Sequence, residues 1–269
     1  MAVKLEFVIN STCVAHYSKI EENLCKIGIP KSSIQTLHNV SSIIIKTTLP
    51  STYVLNTIES TGVKAVLKGY GSTTNANMDV AVAMLGGTTG YSDSNIKGIV
   101  RFIQINENQC IVDGTIDGLT PGKHGIHIYE CGDVSNGCES IGNHLNLLQT
   151  KHGSQIDDKS HRHTGDLGNI EVDAQGRTTF YLYDHLLNVS DLIGRSIAVT
   201  ENEDDCGKTN INSSEVDGNC GKKIACGIIA RCSGLFENNK KICACDGITL
   251  WEERNVPLAG PGRQKNNKI

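Results

Sequence analysis

Aromatic side chains make up only 4 % of this 269-residue chain, and no apolar run approaches the roughly 20 residues that a membrane-spanning helix needs. The second shortage excludes a helical membrane span. The first, together with 28 glycines, suits β-strands joined by many turns. Neither sign of charge prevails: 25 basic against 29 acidic residues leave a net charge of −4, so there is no broad surface for a polyanion and nucleic acid is excluded as a partner. Also missing is a basic stretch followed by an apolar core after Met1-Ala2-Val3-Lys4. No export signal is read there, and the expected location is cytoplasmic. Cysteine, in contrast, is abundant, with 11 residues scattered without regular spacing. In a reducing cytosol most are expected as free thiols, with one or two used for metal or redox chemistry.

Three segments follow from the patterning. Residues 1–71 read as a compact α/β unit: Val3 to Ile9 alternates as a strand, and Cys13, Tyr17, Ile20, Leu24 and Ile27 share one helical face that ends at Gly28 and Pro30. Ile34 to Leu37 and Ile43 to Thr48 are short strands, Pro50-Ser51 opens a second helix, and Ala65 to Leu67 closes a β-α-β-β-α-β order of the ferredoxin-like kind. Gly69 to Asn77 reads as a linker. Residues 72–233 change to short alternating segments between Gly/Asn/Asp turns, at Val80–Leu85, Lys97–Ile105, Cys110–Ile116, Gly125–Tyr129, Thr178–Tyr183, Ser196–Val199 and Lys223–Ala230. Strands at this density point to a β-sandwich or barrel. Two polar stretches, about 130–168 and 201–222, are too long for ordinary turns and call for a function, a metal or a crosslink to order them. Residues 234–269 are polar and Gly/Lys/Asn-rich, a tail expected to be flexible alone and to order on a partner.

His144, His152, His163 and Asp166 offer three imidazoles and one carboxylate, a complete tetrahedral shell for Zn²⁺. The alternative is four solvated polar groups in a Gly-rich loop. Metal binding would supply folding free energy that the apolar-poor loop lacks. Nearby, His124-Gly-Ile-His127-Ile-Tyr129 looks like the remains of a second site, with tyrosine where the next strand-spaced histidine is expected. A structural metal without a working redox metal argues against a redox enzyme. In the tail, Cys243-Ala-Cys245 sets two thiols on one segment, able to hold soft Cu(I) or to exchange with another molecule's disulfide.

His124-Gly-Ile-His127, Cys138 with Gly-Asn-His144, Lys-His152-Gly, His163-Thr-Gly-Asp166-Leu-Gly-Asn, Gly194-Arg-Ser, Asp204-Asp and Ala225-Cys226-Gly together resemble Cu/Zn superoxide dismutase over most of residues 78–232. The resemblance implies an eight-stranded Greek-key β-barrel. It also implies zinc ligation by His144, His152, His163 and Asp166, with His144 as the bridging ligand and Asp204 orienting ligands of both metals. Of the four copper imidazoles, only His127 and His144 are matched; Tyr129 and Thr200 occupy the other two positions. A neutral hydroxyl and a phenol of pKa near 10 are poor donors, and two imidazoles do not make the tetragonal nitrogen field of Cu²⁺. Lys223 stands at the anion-guiding arginine, keeping the charge without the planar fork. Cys138 and Cys226 match the intrasubunit disulfide, a bridge worth on the order of 4 kcal/mol by loop-closure entropy; two buried free thiols are the alternative.

The tail from Ile242 to Arg254, and the order of head, dismutase-like middle and C-x-C tail, are similar to the family of copper chaperones for superoxide dismutase. That family usually carries M-x-C-x-x-C in the first loop; here Cys13-Val-Ala-His16 stands there, one thiol at a helix N-terminus and one imidazole. This pair either collects Cu(I) or belongs to a head that has lost metal binding. The resemblance implies delivery of Cu(I), as cargo, to Cu/Zn superoxide dismutase and formation of the client's disulfide. It further implies a heterodimer through the barrel, and a homodimer remains open. Rival readings are a dismutase with an added head, or a copper-buffering interaction protein. Cys25, Cys110, Cys131, Cys206, Cys220 and Cys232 have no assigned role.

Overall fold

The computed structural model describes residues 2–71, 80–87, 90–209 and 211–232. The expected linker after Gly71 and the tail with Cys243 and Cys245 lie outside them. The chain divides into two compact units, with the change from the first to the second at the start of the strand Val80–Leu85, between Val80 and Ala81.

In the first unit the strands are β1 (Val3–Ile9), β2 (Ile34–Leu37), β3 (Ser42–Thr47) and β4 (Ala65–Gly71), with helices α1 (Val14–Lys26) and α2 (Ser51–Glu59). The sheet order is β2-β3-β1-β4, with β1 antiparallel to both β3 and β4. Burial of apolar surface drives this layer. Leu5 and Phe7 of β1, Tyr17, Ile20 and Leu24 of α1, Ile43 and Ile45 of β3, and Val54 and Ile58 of α2 are all buried. Cys13 is the N-cap of α1, at the helix N-terminus expected of it, but it is exposed and takes no part in the buried stripe of Tyr17, Ile20 and Leu24. Gly28 adopts φ +90, the left-handed conformation that lets the chain leave α1. β4 runs on to Gly71, so the expected linker gives up its first three residues to the sheet.

The second unit has β5 (Val80–Leu85), β6 (Gly90–Ser92), β7 (Lys97–Asn106), β8 (Gln109–Asp117), β9 (Gly122–Tyr129), β10 (Ser135–Cys138), β11 (Asp166–Val172), β12 (Arg177–Asp184), β13 (Ser196–Thr200) and β14 (Lys223–Arg231). Eight strands form one antiparallel path, β11-β9-β13-β14-β5-β7-β8-β12, and β6 adds to β14 beside it. The two end strands, β11 and β12, approach each other, so the sheet is nearly closed. Its interior holds Val100 and Phe102, Val112 and Ile116, Ile126 and Ile128, Ile197 and Val199, and Ile229. Strand periodicity turns His127 and Tyr129 to the other face of β9, where the long loops fold over them. No helix among the described residues is long and apolar enough to cross a membrane.

A disulfide joins Cys138, at the end of β10, to Cys226 in β14 across 88 positions of sequence. It packs with Tyr129, Ile141 and Ala198 in a small separate core. Loop-closure entropy for a crosslink of this span is about 4–5 kcal/mol. Reduction is therefore expected to lower the barrel's melting temperature by about 10–15 °C in calorimetry. An unchanged transition in excess reductant would show that the bridge contributes nothing.

Candidate metal centre

Asp166, the first residue of β11, is the centre of the site. A register shift between Asp166 and Asn169 in the β11–β9 pairing sets it opposite His127. It is fully buried, and its Oδ1 lies 3.0 Å from His144 Nδ1, 3.0 Å from His152 Nδ1 and 3.4 Å from His163 Nδ1. Its Oδ2 accepts from the backbone N–H of His163 at 2.7 Å and of Gly153 at 3.1 Å. The candidate ligand atoms of His144, His152, His163 and Asp166 all lie within 4.8 Å of one another. His152 Nδ1 and His163 Nδ1 are buried without a well-formed hydrogen bond. Two orphaned imidazole nitrogens aimed at one carboxylate oxygen are costly in a folded protein unless a cation sits between them. The donor set fits zinc.

A second carboxylate ties this cluster to its neighbour. Asp204 accepts from His152 Nε2 through Oδ1 at 2.8 Å and from His127 Nε2 through Oδ2 at 3.0 Å. Burial raises its pKa, but the imidazoles of His127 and His152 outweigh this and hold it well below the usual carboxylate range. A Cβ on Gly218 would overlap Asp204 Oδ1, so only glycine lets the loop close over the pair. For His152, burial works to lower the pKa, yet Asp166 and Asp204 on either side raise it to about 10. Burial and the nearby His127 push His144 down to about 3.

The neighbouring half is not a copper site of four imidazoles. His127 and His144 stack with ring centroids 4.0 Å apart. Tyr129 is buried at the next β9 position on the same face, and burial raises its phenol well above the ordinary value, so it stays a neutral group. Thr200 Oγ1 donates to the carbonyls of Gly125 and Asn202, each at 3.2 Å. Lys223 lies 4.9 Å from the Tyr129 ring centroid and donates to Gly142 O at 2.9 Å. His124 contacts Thr200 O through Nδ1 at 2.8 Å and Thr120 O through Nε2 at 2.9 Å, so it staples strands rather than facing a metal.

In the first unit, Cys13 and His16 are both exposed at the start of α1, and His16 Nδ1 lies 2.6 Å from Ser11 Oγ. Cys243 and Cys245 fall outside the described residues. Two contributors carry no sequence signal. Buried Arg162 donates to Asp166 O and to Asp184 Oδ2, each at 2.7 Å, and so pins the ligand loop to β12. Cys220, buried beside Thr200, joins His127 and Asp204 in a second group of clustered ligand atoms.

Comparison with known proteins agrees with this geometry. The family described as copper/zinc superoxide dismutase (SODC) matches residues 96–229. Superoxide dismutase [Cu-Zn] 5 of Dictyostelium discoideum is 42 % identical over 50 % of this chain and 90 % of its own. The crystal structure of the clock protein EA4 superposes with a TM-score of 0.51 at 36 % identity, over 58 % of this chain and 97 % of that one. The copper chaperone for superoxide dismutase of Sus scrofa is 44 % identical over 265 residues, 98 % of this chain and 93 % of the relative. A likeness of that depth reaches both units, and the chain belongs to the family of copper chaperones for superoxide dismutase.

Proposed function

We propose that this chain is a cytoplasmic copper metallochaperone that docks on Cu/Zn superoxide dismutase, delivers Cu(I) and promotes the client's intrasubunit disulfide. The observation that carries the reading is the asymmetry of the centre: four donors converge at Asp166, while next to them Tyr129 is a buried neutral phenol and Thr200 a neutral hydroxyl committed to backbone carbonyls. A barrel built this way orders itself without cycling electrons, so the chain is not a dismutase. Zinc held by His144, His152, His163 and Asp166 is structural and, when bound, fixes the loops that follow β9. In this reading the domains are a ferredoxin-like head over 1–71, a Greek-key barrel over 72–233 and the tail from 234.

A barrel of the client's own fold can present the client's own type of dimer patch, which supports a heterodimer and leaves the free chain either a monomer or a homodimer. Cu(I) passes from the Cys243 and Cys245 thiolates to client imidazoles by ligand exchange, with no change of oxidation state. Disulfide transfer is a separate event. An oxidised Cys243–Cys245 pair is attacked by a client thiolate, the mixed disulfide resolves on the second client thiol, and the tail is left as two thiols. Cys13 and His16 supply a thiol and an imidazole where copper can first be collected.

The test is to mix the zinc- and Cu(I)-loaded chain with metal-free, disulfide-reduced superoxide dismutase. The expected result is copper transfer to the client and a transient heterodimer by size; adding chain oxidised at Cys243–Cys245 is expected to give the client disulfide, read by thiol alkylation, and client activity. Dismutation by the loaded chain alone would establish the enzyme reading instead; copper retention without client activation would establish buffering.

A further inference from the structure

Cys220 is only 1 % exposed and sits in the loop just before β14. Its surroundings set it apart from the other free thiols. A Cβ built on Gly125 would lie 2.6 Å from Thr200 Oγ1, 3.0 Å from Cys220 Sγ and 3.0 Å from His127 Cε1. Glycine at 125 therefore lets the Cys220 thiol and the His127 imidazole close in on the backbone from opposite chain segments, where any side chain would collide with them. The ligand atoms of His127, Asp204 and Cys220 lie within 4.8 Å of one another. Both Asp204 oxygens are taken by imidazole nitrogens, His152 Nε2 on one and His127 Nε2 on the other. His127 Nδ1 is buried and has no hydrogen-bond partner. A cavity of about 60 Å³, lined by Tyr129, His144, Thr200, Cys220 and Lys223 among others, adjoins the thiol.

We propose that Cys220 Sγ and His127 Nδ1 form a second metal site, for a soft monovalent ion such as Cu(I), in the hollow left by the lost four-imidazole centre. The clustering allows it: Cys220 Sγ and a ring nitrogen of His127 lie within 4.8 Å, and a metal–sulfur bond of about 2.3 Å with a metal–nitrogen bond of about 2.0 Å spans about 4.3 Å when collinear. The donors select the ion: a thiolate favours Cu(I), and the tetragonal nitrogen field of Cu²⁺ is not on offer. Zn²⁺ asks for four donors, and Thr200 Oγ1 and Asp204 are already committed to other partners. Binding replaces the thiol proton, Cu⁺ + RSH giving RS–Cu + H⁺; the proton leaves through the cavity and no electron changes hands. His127 is held ready because Asp204 takes its Nε2 and leaves the buried Nδ1 without a partner.

This site goes beyond the delivery reading, and its test uses no client, so its failure leaves that reading untouched. The full-length chain carrying Cys13→Ser, Cys243→Ser and Cys245→Ser, loaded with zinc, is titrated with Cu(I) under anaerobic competition with bicinchoninate. The copper is then examined by X-ray absorption. One Cu(I) with one sulfur and one or two nitrogens is expected. Adding Cys220→Ser or Cys220→Ala should weaken binding at least about tenfold and remove the sulfur, a change of about 1.4 kcal/mol. Cys206→Ser in the same loop should alter neither. No bound copper in the parent, a shell of nitrogens alone or of two sulfurs, or binding indifferent to Cys220 overturns the proposal. Should both Cys220 variants lose zinc and unfold, the parent's absorption spectrum decides between the same outcomes.

Discussion

With Cys243 and Cys245 both changed to serine, the Cu(I)-loaded chain should activate reduced, metal-free superoxide dismutase no faster than chelator-buffered copper does. The argument is chemical. Serine keeps the size and polarity of cysteine but offers a hard, neutral hydroxyl that neither holds Cu(I) nor attacks a disulfide. Each tenfold in transfer rate is about 1.4 kcal/mol of transition-state stabilisation, and removing both donors of a two-thiol unit costs at least that. Single variants separate the two activities. One remaining thiol still offers a single sulfur to Cu(I), but it neither chelates copper as a pair nor forms the Cys243–Cys245 bond that a client thiolate attacks, so disulfide transfer is lost outright. Client activity and client thiol count, followed in parallel, read the two steps. Activation at the unmodified rate by the double variant would move delivery from the tail to Cys13 and His16 or to the barrel.

Removing zinc should lower the melting temperature of the barrel by about 8–16 °C. A ligand held at a thousand times its dissociation constant stabilises by about 4.1 kcal/mol, and 1 kcal/mol moves a domain of this size by about 2–4 °C. The effect depends on pH through His152. In the metal-free chain its pKa is raised to about 10, so the proton shared between Asp166 and Asp204 stabilises the fold. That contribution is complete below the unfolded value of about 6.5 and is lost as pH rises through about 10. Zinc must displace the same proton, so its affinity climbs across this window while the metal-free chain weakens. His144, neutral down to about pH 3, asks for no such exchange near neutrality. Calorimetry of zinc-loaded and chelated protein should show a gap that widens from pH 6.5 to pH 8.5. A gap independent of pH would mean that His152 is not protonated when the site is empty.

What could be read from the chain was periodic or local. β7 and β8 alternate around the two-residue turn Glu107-Asn108, and α1 buries Tyr17, Ile20 and Leu24 as a helical stripe predicts. β10 escaped because Ser-Asn-Gly-Cys has no apolar alternation; it lies against β14, to which Cys138 is crosslinked. β11 escaped because its register shift breaks the alternation, and that same shift brings Asp166 to the three imidazoles, so a stretch read as loop is partly strand. The short helix at Asn212–Asp217 lies likewise inside a stretch read as irregular. The clustering of residues 144, 152, 163 and 166 was legible because they are close in sequence. Arg162 with Asp184, and Cys220 with His127, were not, since each pairing crosses from one loop or strand to another and leaves no mark on either segment alone.

Asp204 has a consequence for the order in which the barrel fills. One carboxylate braces an imidazole of the zinc shell with one oxygen and the sulfur-side imidazole with the other. A cation taken up by His152 would change the charge that Asp204 meets on one side, and with it the hold that Asp204 has on His127 on the other. Filling one end of the barrel would thereby be felt at the other.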